Sequence, residues 1–133
     1  MIEMGEFEGV AASIRQARRF VADHLAGVDV DTVEEVTLMV SELATNCVRH
    51  AVTPFTVSME RSSGHLRIEV VDRGTGRRPE LRSPSPAEPS GRGLRIVAEL
   101  SDEWGIASSP DDGSAVWFSV RLGRDRDLMT RGA

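Results

Sequence analysis

Three short segments carry residue types suited to holding a polyphosphate and its metal ion: Glu42-Leu43-Ala44-Thr45-Asn46, Asp72-Arg73-Gly74-Thr75-Gly76 and Gly91-Arg92-Gly93-Leu94. Glu42 and Asn46 are four apart, so on a helix both side chains emerge on one face. The carboxylate could take a proton from an incoming hydroxyl. The amide oxygen could join the shell of Mg²⁺, which prefers oxygen ligands. Arg49 and His50 continue that face; the plain alternative is a solvated polar helix surface. Asp72 closes an apolar alternation, where its carboxylate could accept a hydrogen bond from an adenine amine. Gly74 and Gly76 would let the backbone approach the base, or form an ordinary turn. Gly91 and Gly93 sit where a helix should begin, and backbone N–H groups there bind phosphate readily. Ser90 could cap that helix or touch a phosphate, and Arg92 could reach one; a flexible hinge is the alternative. Ser114, after Gly113, could line a base pocket or be a turn residue.

These residues need elements to position them. Val10, Ile14, Ala17, Val21 and Leu25 recur at helical steps, predicting a helix over 10–26 that Gly27 ends. Asp31, with Glu34 three positions later, predicts the start of a second helix running to about Val52, before Pro54. Its core stripe is Val36, Val40, Leu43 and Cys47. Phe55–Glu60 and His65–Asp72 read as paired strands around a turn at 61–64. Residues 73–90, rich in Pro, Ser and Gly, predict a long loop of the kind that often forms a lid. A helix from Gly91 to about Leu100, a strand over Trp104–Ser108, a turn at 110–113 and a strand over Ala115–Leu122 follow. The expected order is α-α-β-β-loop-α-β-β: an α+β, two-layer α/β sandwich with helices on one face of a mostly antiparallel sheet. One domain is expected over 1–133, its core about 8–122 and its tail, 123–133, frayed.

Composition narrows the chemistry. The chain has 133 residues, a net charge of −5 and sixteen basic residues, every one an arginine. Without lysine it has no P-loop lysine, no eukaryotic-type kinase lysine and no Schiff-base amine. The acidic balance argues against nucleic acid as a partner. One cysteine, Cys47, forms no intrachain disulfide and completes no zinc spacing. The lack of a long apolar run or a signal pattern predicts no membrane span and a cytoplasmic location. Arg15, Arg18 and Arg19 cluster on the first helix, either merely solvated or able to meet an acidic protein.

As a set, these segments resemble the motifs of the GHKL superfamily and, within it, the small anti-sigma-factor serine/threonine kinases of bacterial sporulation and stress response. Glu42–His50 is similar to that family's N-box, Asp72–Gly76 to its first glycine box and Gly91–Leu94 to its second. Residues 77–90 fall where the family has its ATP lid, and Gly113-Ser114 where it has Gly-Thr near the adenine. The resemblance implies a Bergerat-type ATP-binding fold with ATP and Mg²⁺ as cofactors. It implies Glu42 as general base, Asn46 at the Mg²⁺, Asp72 on the adenine amine, and Arg49, Gly74, Gly76, Ser90, Gly91, Arg92, Gly93, Leu94 and Ser114 around the nucleotide. It also implies a homodimer that holds a sigma factor and phosphorylates a STAS-type anti-anti-sigma partner. The alternative is a non-catalytic ATP-binding module that sequesters a protein partner.

Overall fold

The computed structural model describes residues 2–51, 53–73, 89–109 and 113–122, with the side chains of residues 51, 89–92 and 108–109 outside that description. The elements in chain order are β1 (Ile2–Phe7), α1 (Ala12–Asp23), α2 (Val30–Asn46) with a π-helical turn at Cys47–Ala51, β2 (Phe55–Ser62), β3 (His65–Asp72), α3 (Pro89–Leu100), β4 (Glu103–Ser109) and β5 (Gly113–Arg121). The five strands form one sheet in the order β1-β2-β3-β5-β4. Every pairing is antiparallel.

The helices lie on one face because the apolar positions of the strands do. Phe55, Val57 and Met59 on β2, Leu66, Ile68 and Val70 on β3, and Phe118 and Val120 on β5 are all buried. They meet Val36, Met39, Val40, Leu43 and Cys47 of the α2 side and Ala17 and Val21 of α1 in a single core. The expected α2 stripe is therefore the one buried. The opposite face has no helix over it among the described residues. There the Arg67 guanidinium stacks 4.3 Å from the Trp117 ring, and the indole lies so close across Gly105 that a Cβ there would sit 2.6 Å from Trp117 Nε1.

The observed order gains one strand that the sequence pattern did not show. β1 has apolar side chains on both faces: Ile2 and Met4 are exposed, while Phe7 turns inward. Phe7 stacks on Phe55 at 5.5 Å and meets Phe20 edge-on at 5.8 Å. No alternation marks such a strand, and Gly5 and two glutamates depress its propensity. The hairpin between β2 and β3 is tighter than expected. Ser62 pairs with His65, leaving Ser63 and Gly64, at φ 46° and 77°, as a two-residue turn. α3 begins at Pro89 rather than Gly91, in keeping with proline's fit to the first helical position.

The start of α2 corrects the expected cap. Asp29, not Asp31, is the N-cap. Its carboxylate accepts from the Thr32 N–H at 3.0 Å and the Thr32 hydroxyl at 2.7 Å. Asp31 lies in the first turn, where a negative charge still suits the helix dipole. Asp29→Ala should therefore lower the unfolding free energy by about 1 kcal/mol in urea titrations, and Asp31→Ala by less than half as much. A larger loss from Asp31→Ala would mean that the helix is capped elsewhere.

Candidate functional site

α2 is anchored by its buried stripe, and that anchoring fixes the neighbouring polar face. Glu42 and Asn46 are both half-buried on the last turns of the helix. The second turn of α3 packs directly onto them. A Cβ on Gly93 would lie 3.3 Å from Asn46 Nδ2, 3.4 Å from Glu42 Cβ and 3.5 Å from Glu42 Oε2. Two segments more than forty positions apart in sequence thus share one contact, and a Cβ at position 93 would press on the Asn46 amide.

Asn46 Oδ1 is buried without a hydrogen-bond partner. A buried amide oxygen left unpaired costs about 1–3 kcal/mol, so a site that keeps one calls for a ligand to complete it. An oxygen acceptor beside a carboxylate fits Mg²⁺, which takes few protein ligands and completes its shell with water and phosphate oxygens. Among the described residues no cluster of three or more His, Cys, Asp or Glu side chains could hold a metal by itself. A metal here would rely on Asn46 and a bound polyphosphate.

The second half of the site lies at the end of the sheet. Asp72 closes β3 and Ser114 opens β5, neighbouring strands that bring the two together across 42 residues. The Ser114 hydroxyl donates to Asp72 Oδ2 at 2.8 Å and its backbone N–H donates to Oδ1 at 3.3 Å. Ser114 thus orients the carboxylate. Cys47, the residue after Asn46, is buried beside it. Burial, with the negative charge of Asp72 as the second cause, pushes the thiol up to about 12. The charge of Asp72 is thus felt at the end of α2.

The structure therefore joins Glu42, Asn46 and Gly93 by direct packing, and Asp72 and Ser114 by hydrogen bonds, with Cys47 at the junction. Leu94 is half-buried against the core. Arg49 and His50 lie exposed on the π-helical turn. Ser90, Gly91 and Arg92 fall in the first turn of α3. Pro89 has no N–H, so the first free helical amides belong to them. Gly74, Gly76 and the expected lid over 77–88 lie outside the described residues. Arg73 turns away to pair with Glu6 of β1 at 2.7 Å, on the exposed surface. Two features were not legible in the sequence. Cys47 read only as a core thiol, and nothing marked Thr53, whose hydroxyl oxygen is also buried without a partner.

The chain is similar to known proteins in sequence and in fold. The model of the histidine kinase-like ATPase domain matches residues 7–120. The anti-sigma F factor of Pasteuria penetrans is 31% identical over 92% of each chain. That of Caldanaerobacter subterraneus subsp. tengcongensis is 28% identical over 83% of this chain and 86% of its own. That of Bacillus subtilis is 26% identical over 92% of this chain and 94% of its own. Among solved structures, the histidine kinase domain of the Erythrobacter litoralis EL346 blue-light activated histidine kinase superposes with a TM-score of 0.57 at 21% identity. That likeness is one of fold; it covers 90% of this chain, which spans 64% of the length of that domain.

The Cys47 thiol gives the junction a pH signature. Folded, it stays protonated to about pH 12; unfolded, it ionises around its ordinary value of 9.0. Between those values the unfolded chain binds fewer protons, so stability falls as pH rises, by up to about 1.4 kcal/mol per pH unit from this group. Cys47→Ala should show a shallower alkaline loss of unfolding free energy than the wild type between about pH 9 and 11. Parallel curves would show that the thiol is not held neutral by the fold.

Proposed function

The chain belongs to the histidine kinase-like ATPase family, in the branch of the anti-sigma factors, and on that premise we propose that it is an ATP- and Mg²⁺-dependent anti-sigma factor and serine/threonine kinase. The observation that carries the reading is the unpaired, buried Asn46 oxygen held against Glu42 and Gly93, together with the Asp72 carboxylate oriented by Ser114.

In this reading Asp72 accepts from the exocyclic amine of adenine, and Ser114 keeps the carboxylate turned for it. Cys47, neutral beside Asp72, adds an apolar wall without competing charge. Asn46 would hold Mg²⁺, which when bound neutralises charge on the phosphates. The free amides of the first turn of α3, with Ser90, Gly91 and Arg92, face the phosphates, Gly93 lets that turn sit against α2, and Arg49, Leu94, Gly74 and Gly76 border the nucleotide. Glu42 then takes the proton of a serine hydroxyl on the protein substrate as its oxygen attacks the γ-phosphorus and the bond to the ADP oxygen breaks. Positioning and charge neutralisation supply most of the catalysis in such transfers, which suits a site with few ionisable groups.

The protein substrate is a STAS-type anti-anti-sigma factor, and the sequestered partner is a sigma factor, the target that the relatives' names point to. The protein acts as a homodimer in the cytoplasm, where sigma factors work; among the described residues no helix is long and apolar enough to cross a membrane.

Calorimetric titration with ATP, with and without Mg²⁺, tests the pocket. Asp72→Asn should weaken ATP binding by about ten- to a hundredfold, the range expected for a lost hydrogen bond to a charged group. Asn46→Ala should remove the Mg²⁺ dependence. Failure of the wild type to bind at millimolar ATP would leave a nucleotide-independent binding module. Glu42→Ala should lower transfer to a STAS serine by about 10²–10⁴ while ATP affinity stays within about threefold. Loss of ATP binding in that variant would undo the assignment of Glu42 as the base, and transfer undiminished by it would leave the non-catalytic module as the function.

A further inference from the structure

β1 and β4 are the two edges of the sheet, and among the described residues each has a single neighbouring strand. An edge strand leaves one row of backbone N–H and C=O groups unpaired, a template for a further strand that proteins guard with charges, prolines or bulges. β1 is guarded: Glu3 and Glu6 stand on it, facing His24 and Arg73. β4 reads Glu103-Trp104-Gly105-Ile106-Ala107-Ser108-Ser109, with no proline and one charge, at its first residue.

The side chains of β4 add to the template. Trp104 pairs with Phe118 and Ile106 with Val116, which puts both on the face of the sheet that carries the helices. Trp104 is nevertheless 38% exposed and Ile106 54%, so α3 leaves this margin of the sheet open. On the opposite face Gly105 pairs with Trp117, whose indole lies over it.

These positions are self-complementary. An antiparallel contact between two copies of β4, with its twofold axis at Gly105, sets Trp104 of each copy opposite Ile106 of the other. Two aromatic–β-branched cross-strand pairs result, a kind that stabilises antiparallel sheets. Gly105 faces itself with no side chain to hold the backbones apart, and the two Trp117 indoles meet over the axis. Charge agrees. Each copy has a net charge of −5, so self-association needs a contact that keeps carboxylates apart. In this register Glu103 lies opposite Ala107, and the two Glu103 residues stand about 13 Å apart along the strands, beyond the screening length of about 8 Å at physiological salt. β1 paired with itself would gather four carboxylates into one contact.

We propose that the β4 edge binds a second copy of this chain in the register centred on Gly105, joining two five-stranded sheets into one. The inference goes beyond the nucleotide reading: it needs no ATP site, and it gives the homodimer named there a surface.

Disulfide trapping tests the register. In Glu103→Cys/Ala107→Cys each new thiol faces its counterpart on the second copy, while within one chain the two lie too far apart to bond. Cys47, buried, stays in place. Mild oxidation of the nucleotide-free full chain should give a covalent dimer. Thr56→Cys/Glu60→Cys, with the same spacing on β2 inside the sheet, should give none. The reversible counterpart is sedimentation velocity at up to about 1 mM protein. Ile106→Lys should raise the dimer dissociation constant by about tenfold or more, and Met4→Lys, a matching change on β1, should leave it within about threefold. Circular dichroism checks that the variants fold. A wild type that stays monomeric, equal trapping in the two cysteine variants, or a dimer unmoved by Ile106→Lys would overturn the proposal. A dimer weakened by Met4→Lys alone would overturn it in favour of the β1 edge. Calorimetric titration of Ile106→Lys with ATP reads the nucleotide site apart from the contact, so failure of either reading is visible without the other.

Discussion

The seating of α2 on the sheet is the constraint on which the rest depends. Val36, Met39, Val40, Leu43 and Cys47 are each nearly or completely buried, and together they remove several side chains' worth of apolar surface from water, each contributing roughly 1.5–3 kcal/mol. A helix held that firmly cannot rotate. Glu42 and Asn46, which immediately precede Leu43 and Cys47 of the stripe, are therefore fixed in direction although neither is itself a core residue. The seating also decides what α3 must be. Gly93 faces Glu42 and Asn46 at contact distance, where an added Cβ would crowd the Asn46 amide.

The polar groups of the site are held by unequal means. Asp72 receives two donors from one residue, Ser114, and both belong to strands in register within the sheet. Its position is as rigid as the ladder. Asn46 receives no partner for its oxygen. The difference separates a group that is oriented in advance from one whose oxygen is left open to a ligand. Cys47 lies between the two, and its thiol stays neutral because both burial and the Asp72 charge oppose a thiolate. The same burial that packs the core thus keeps a further negative charge away from Asp72.

Much of this was legible in the sequence because the signals were periodic or chemical. The α2 stripe, the β2–β3 hairpin and the one-sided sheet follow from alternation and helical spacing. Asp72 and Ser114 could be suspected separately from their strand-end positions, but their hydrogen bond could not, since it depends on β5 inserting beside β3 rather than beside β4 alone. β1 was illegible for a physical reason: an edge strand has only one neighbour to satisfy, and Phe7 does its packing through one aromatic cluster rather than through alternation. The cap at Asp29 was hidden by a better-looking Asp31 and Glu34 pair. A capping box scores two side chains, whereas Asp29 works through both oxygens of one carboxylate on a single threonine. Thr53 had no signal at all, because an unsatisfied hydroxyl is a property of its surroundings.

The absence of lysine shapes the chemistry of the site. Every one of the sixteen basic Lys/Arg positions of the chain is a guanidinium, shaped for planar, two-bond contacts with carboxylates and phosphates. None can serve as a nucleophile or lose its proton to act as a base, so proton transfer falls to carboxylates and histidines, and of the groups at the cleft Glu42 alone combines a titratable oxygen with a position at the α2–α3 contact. The arginines are left for recognition. One of them, Arg73, meets Glu6 of β1 on the exposed surface.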